Sequence, residues 1–274
     1  MRKISLIMAL TVLVTLLSCG DNGDNDKNQR LSIVGKEVSY STDSLTMKGY
    51  LSYNEFNIGK VPGVLVVHEW WGHNDYARLR ADMLAEMGYV ALAVDMYGDG
   101  KQAQHPDEAG KFAMAALKNL DDGKARFEAA MNDLKSHPRV DPDKIAAIGY
   151  CFGGSVVLEM AILGEDLDGI ASFHGGLKTK TALENPGQFK GSILICMGGD
   201  DQFITEEQVT ELRASLDKTG SDYKFVSYPG AKHSFTNPHA DDYAKKFDLP
   251  VGYNKEADEK SWAELKVFLK KIFQ

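Results

Sequence analysis

The chain has 274 residues, 43% of them hydrophobic and 26% charged, with 31 Lys and Arg against 39 Asp and Glu and a net charge of −8. Those fractions match ordinary globular proteins and exclude wholesale disorder, a collagen-like chain and a multi-pass membrane protein. The acidic balance, with no Lys/Arg cluster, argues against nucleic acid as a partner. Three cysteines without a CxxC or Cys/His spacing give neither a disulfide framework nor a structural zinc site.

Arg2 and Lys3 form a positive start, and Ile4 to Leu17 is an apolar run too short to span a membrane comfortably. That is the pattern of an export signal over residues 1–18. It ends in Leu16-Leu17-Ser18-Cys19-Gly20, which resembles a bacterial lipobox, where cleavage precedes the cysteine and its thiol takes a diacylglycerol. Cys19 is then the expected lipidation site; the alternative is an ordinary secretory signal with an incidental cysteine. The acidic, Gly/Asn-rich stretch that follows completes an expected flexible tether over 19–31. Without Arg2 and Lys3, 29 basic face 39 acidic side chains, a mature charge of −10. Attachment to anionic lipid would therefore come from acyl chains rather than charge. The expected location is the cell envelope, at the outer membrane or cell surface.

From residue 32 the pattern is that of one folded domain, 32–274. Ser32–Thr42 and Met47–Tyr53 read as an antiparallel hairpin around Thr42-Asp43-Ser44. Short continuous apolar runs follow at 64–67, 90–94, 145–148, 170–173, 192–196 and 223–226. Amphipathic helical patterns lie near 75–88, 105–119, 123–136, 152–163, 205–219 and 256–272. Apolar strands alternating with helices predict a mostly parallel sheet with helices on both faces.

In such sheets ligands bind beyond the carboxyl ends of the strands. Gly149-Tyr150-Cys151-Phe152-Gly153 follows an apolar run and opens a helix, the nucleophile-elbow pattern with cysteine for serine. A helix N-terminus favours thiolate there; the alternative is a buried, inert cysteine in a Gly-rich turn. Asp200-Asp201 and then His233 come later, each just past an apolar run. Nucleophile, acid, histidine is the chain order of α/β-hydrolases. His233 would accept and return the thiol proton, and Asp201 would orient the imidazole.

With these parts the sequence resembles the dienelactone hydrolase family from about residue 36 to the C-terminus. The resemblance rests on His68-Glu69-Trp70-Trp71-Gly72, Asp95-Met96-Tyr97, the cysteine elbow, Gly199-Asp200-Asp201-Gln202-Phe203-Ile204 and Gly230-Ala231-Lys232-His233-Ser234-Phe235. It implies an α/β-hydrolase fold and selects Asp201 over Asp200 as the acid. It makes Glu69 a group that touches the resting thiol and takes its proton, and gives the oxyanion hole to the amides of Phe152 and Trp70. Such preorganised amides are each worth roughly 10²–10³ in rate. The muconolactone-cleaving members bind a substrate carboxylate with two arginines, at positions that here hold Asp99 and Asn237. A neutral substrate is expected, unless Lys101 or Lys232 swings in.

Other residues carry weaker readings. Trp70 and Trp71 fit an aromatic pocket wall and a cover for the sheet edge equally well, and Tyr97 is a candidate pocket residue. Tyr150 and His174 read as packing groups and Cys196 as core. The remaining histidines form no metal-binding pattern, so no metal and no cofactor are expected. The leading expectation is an ester or lactone hydrolase working through a Cys151 acyl-enzyme on a small-molecule substrate, lipid-anchored at the membrane, with no obligate protein partner. Its rivals are an amide or peptide hydrolase on the same fold and a non-catalytic surface binding lipoprotein.

Overall fold

The computed structural model describes residues 31–274. The export signal, Cys19 and the tether up to residue 30 lie outside the described residues. Eight strands form one sheet: β1 Ile33–Ser41, β2 Thr46–Asn54, β3 Val61–Val67, β4 Val90–Val94, β5 Val140–Tyr150, β6 Gly169–Phe173, β7 Ser192–Gly198 and β8 Tyr223–Tyr228. Their order is β1-β2-β4-β3-β5-β6-β7-β8. The opening hairpin β1/β2 is antiparallel and joins the sheet through an antiparallel β2/β4 pair. Every other neighbour is parallel.

Seven helices accompany them: α1 Asp75–Glu86, α2 Pro106–Ala116, α3 Leu120–Ser136, α4 Phe152–Ile162, α5 Glu206–Thr219, α6 Ala240–Phe247 and α7 Lys255–Ile272. Their starts are fixed locally. The Asn74, Asn119 and Asn254 side chains accept amide protons of the first turn, and Thr205 with Gln208 forms a reciprocal capping box.

Parallel strands covered on both faces must be apolar at every position, and β4 and β6 are buried along their whole length. Alternation then sorts the side chains. Leu65, Val67, Leu92, Ala147 and Ile195 face α3, α4 and α5, where they meet Phe127, Leu134, Val156 and Leu216. Val64, Val66, Ala91, Ile148 and Leu194 face α1 and α7, against Ala81, Leu84, Trp262 and Leu265.

The element expected at 145–148 is longer than its apolar run. β5 begins at Val140, and its pairing with β3 shifts register between Pro62 and Gly63 to take up the polar stretch Asp141–Lys144. The short α6 has no counterpart among the helices expected from the sequence.

Candidate active site

After β3 the chain crosses to β4 on one side of the sheet; after β5 it continues to β6 on the other. The crevice where the winding direction changes opens between β3 and β5, whose Val67 and Gly149 are paired. Glu69, Trp70 and Cys151 leave the sheet there. Cys151 caps α4 at φ 54° and ψ −114°, a strained backbone for a residue with a Cβ. Its flanking glycines are required by close approach. A Cβ on Gly149 would lie 2.0 Å from the Gly153 carbonyl oxygen, and one on Gly153 would lie 2.2 Å from that of Val67. The Gly153 amide donates to the His68 carbonyl at 3.1 Å, stitching the elbow to the loop that carries Glu69. Phe152 is the first residue of α4, so its amide has no acceptor within the helix.

His233 follows β8 and is almost fully buried. Its Nδ1 lies 2.8 Å from Oδ2 of Asp201, whose Oδ1 accepts from the Phe203 amide at 2.9 Å. Asp200 points outward and accepts from the Gly230 amide instead. Cys151 neighbours the His233 ring, and both line the same pocket. Burial opposes a charged imidazole here, but the neighbouring Cys151 and Asp201 outweigh it and lift the His233 pKa to about 10. Asp201 and His233 are therefore hydrogen-bonded, and His233 shares a pocket with Cys151. Cys196 sits fully buried in β7, where burial pushes its thiol up to about 12.

Glu69 is buried beside this group, and two donors hold it. Ser234 Oγ donates to its Oε1 at 3.0 Å and Asn237 Nδ2 to its Oε2 at 2.6 Å. Burial raises its pKa in spite of these bonds. Among the described residues, the side-chain hydrogen bonds on Glu69 come from Ser234 and Asn237.

A pocket of about 300 Å³ opens over Cys151. Trp70, Trp71, Phe152, Phe203, Ile204 and Tyr243 supply most of its wall, with Cys151, His233, Ser155 and Ser234 as its polar groups. Both tryptophans line the pocket. Trp71 is sandwiched with Tyr243 at 4.4 Å and Phe247 at 5.8 Å between ring centroids.

One expectation needs correction. Tyr97 does not line this pocket; it packs behind it, its hydroxyl donating to the Trp70 carbonyl at 2.9 Å and its ring on His68 and Phe152. Asp99 does not face the pocket either, since it is exposed beside Lys101 at 3.6 Å. Asn237 is buried under Glu69 rather than open to substrate. Neither Lys101 nor Lys232 reaches the pocket wall. Sequence reasoning missed Tyr243 and Phe203, and it missed Ser234 as the partner of Glu69. A signal for α6 existed: Asp241 and Asp242 in its first turn, Lys245 and Lys246 in its last, with Tyr243 and Phe247 one turn apart. Among the described residues, no group of three or more His, Cys, Asp or Glu side chains is gathered as metal ligands would be.

A nearly parallel sheet with its elbow at the crevice and an acid and a histidine on later strand ends defines an α/β-hydrolase. Comparison with known proteins narrows this. The dienelactone hydrolase family matches residues 47–273, and the chain belongs to that family. "Protein usf" of Aquifex pyrophilus is 31% identical over 215 residues, covering 76% of this chain and 90% of that protein. A crystallised dienelactone hydrolase-like promiscuous phosphotriesterase from metagenomic libraries superposes with a TM-score of 0.80 at 30% identity, over 88% of this chain and 99% of its own. The dienelactone hydrolase of Anabaena variabilis shares the fold, with a TM-score of 0.54 at 21% identity, over 78% of this chain and 94% of its own.

Proposed function

We propose that this protein hydrolyses neutral carboxylic esters or lactones through a Cys151 acyl-enzyme, with His233 as general base and acid and Asp201 as its orienting carboxylate. The observation that carries this reading is the hydrogen-bonded Asp201–His233 pair turned toward Cys151 at the floor of an apolar pocket.

The thiolate attacks the carbonyl carbon, and the developing oxyanion is held by the amides of Phe152 and Trp70. Collapse breaks the acyl C–O bond. The departing alkoxide takes the imidazolium proton from His233; in a lactone it remains tethered to the acyl group. Water then gives its proton to His233 and attacks the thioester, releasing the acid and restoring the thiolate. Asp201 keeps Nδ1 protonated, so Nε2 faces the thiol throughout.

The neutral-substrate reading rests on the pocket wall, which holds no Lys, Arg, Asp or Glu. The cation at the pocket floor, His233, is already paired with Asp201, so an entering carboxylate would lose hydration without an unpaired cation in return. The phosphotriesterase relative carries in its name a substrate class with no ionisable group on phosphorus, which suits the same kind of pocket. The N-terminal pattern supports a lipid-anchored envelope protein modified at Cys19.

A panel of esters, lactones and amides assayed with wild type and Cys151→Ala tests the reading. Ester or lactone turnover lost in Cys151→Ala is expected. Turnover that survives the substitution would overturn the acyl-enzyme, and amide turnover exceeding that of matched esters would favour the peptide-hydrolase reading.

A further inference from the structure

Three non-glycine residues with left-handed backbone stand around this site: Cys151 at φ 54°, His174 at 40° and Ser234 at 56°. Conformations of this kind persist where surrounding bonds over-determine them. One set of such bonds lies behind the reacting face. His174, at the end of β6, is fully buried, and its own amide donates to the Cys196 carbonyl at 2.8 Å. The Cys151 amide donates to His174 Nδ1 at 3.1 Å. An amide nitrogen can only donate, so Nδ1 is the acceptor and the neutral ring carries its proton on Nε2. Nε2 therefore donates to Thr236 Oγ1, 2.7 Å away.

Thr236 lies three residues after His233 and is itself buried. Its hydroxyl also meets the Tyr76 hydroxyl at 2.6 Å, and its carbonyl accepts from Arg80 Nη2 at 2.6 Å. Arg80 is held in turn by Asp258 at 2.5 Å. The charged and titratable groups facing His174 are His233 and Arg80, with the Tyr150 ring at 6.0 Å. A chain of contacts thus runs from the nucleophile's amide through β6 to the loop that carries the base, and on to α1 and α7. It does not pass through Asp201.

The bond from Cys151 to His174 is not needed to satisfy a buried donor, because the same amide also donates to the Phe173 carbonyl at 3.0 Å. What the second bond adds is direction.

We infer that His174 and Thr236 are positioning residues that hold the Cys151 elbow in register with the His233 loop. The inference rests on the proposed roles of Cys151 and His233. Displacing either partner lengthens the proton path between thiol and imidazole, and errors near 1 Å in such geometry cost on the order of 10²-fold in rate.

The test uses the full chain with p-nitrophenyl acetate as the probe ester and iodoacetamide as a probe of Cys151 that needs no turnover. In Thr236→Val, which keeps the shape and removes the hydroxyl, kcat should fall roughly tenfold or more with KM little changed. The pH profile of Cys151 alkylation should move as well, and Thr236→Ser should restore both. A purely structural role would lower the melting temperature and leave kcat per folded molecule and the alkylation profile as in wild type. Either readout remaining at its wild-type value overturns the inference. Should Thr236→Val fail to fold, Tyr76→Phe removes one hydroxyl at the outer end and carries the same test: a shift in the same direction supports the brace, and an unchanged profile overturns it. Cys151→Ala separates the two levels. If it still turns over the ester, the nucleophile assignment falls and the brace with it; if it is inactive while Thr236→Val behaves as wild type, only the brace falls.

Discussion

Asn237 Nδ2 donates to Glu69 Oε2 at 2.6 Å, and the orientation of that amide is fixed, because the His239 backbone amide donates to Asn237 Oδ1 at 2.9 Å. With Ser234 on Oε1, Glu69 sits in a cage of neutral donors. A carboxylate held by a neutral amide keeps its desolvation cost, which is why burial prevails and its pKa rises.

Glu69→Gln fits the same cage, with the amide oxygen toward Asn237 and the nitrogen toward Ser234. A carboxyl whose pKa is raised in the folded state binds its proton more tightly there than in the unfolded chain. Its stability contribution is present below the unfolded value of 4.5 and is lost as pH rises through the folded pKa. Glu69→Gln should therefore melt close to wild type near pH 4 and above it at pH 8. Melting curves across that range check this, and a mutant less stable at pH 8 than at pH 4, relative to wild type, would contradict it.

His233 gives the opposite limb. Its pKa rises from 6.5 to about 10, so the imidazolium contributes stability that is complete below 6.5 and lost as pH climbs through about 10. Wild type should lose stability to urea between pH 7 and 10. Cys151→Ala, which removes the largest of the charges favouring the imidazolium, should lose less over the same interval.

The proposed division of labour predicts unequal costs. Asp201→Asn should lower kcat by about 10⁴-fold with little change in KM, because the imidazole then rests in the wrong tautomer. Asp200→Asn should change kcat by less than about twofold, since its side chain meets only the Gly230 amide. In native protein, iodoacetamide should label Cys151 and spare Cys196 until unfolding, because one thiol lies at a pocket and the other is fully buried.

Matched substrates test a wall that holds no Lys, Arg, Asp or Glu. For a scissile ester bearing either a free acid or its methyl ester, kcat/KM should favour the methyl ester by roughly tenfold or more. A consistent preference for the acid would mean that a cation outside the present wall reaches the substrate.

For the N-terminus, Cys19→Ser should move the protein from the membrane fraction to the soluble one, with a diacylglycerol mass on the mature wild-type cysteine. Wild type that stays membrane-bound with an unmodified Cys19 would show another mode of attachment.

The strand ends were legible from sequence because fully buried parallel strands must be apolar throughout, so the first polar residue after each run marks the crevice. Cys151, Asp201, His233 and Glu69 all stand there. Tyr97 stands there too, yet packs behind the pocket, because the side chain after a strand can turn to either face and sequence does not say which. The position of Asp99 was open in the sequence for a related reason: its backbone adopts φ 57° and its loop folds back onto β2, its amide donating to the Thr46 carbonyl at 2.8 Å. The Thr236–His174 bond spans 62 residues and leaves no local pattern to read. Helix α6, at eight residues, is shorter than the window of roughly 11–18 residues over which helical periodicity is read, which leaves only its terminal charges and the Tyr243/Phe247 spacing as a signal.

The segment that carries α6 departs from the base loop and returns to it. The Ala240 amide donates to the Asn237 carbonyl at 2.9 Å, the Gly252 amide to the His233 carbonyl at 3.1 Å, and Val251 bridges to His233. Between those pins it hangs Tyr243, Leu249 and Val251 into the cavity. Both anchors are backbone bonds, indifferent to the side chains strung between them. Exchanging Tyr243 or Leu249 for another side chain would therefore reshape what enters while leaving those backbone ties, and the hydrogen bond between Asp201 and His233, as they stand.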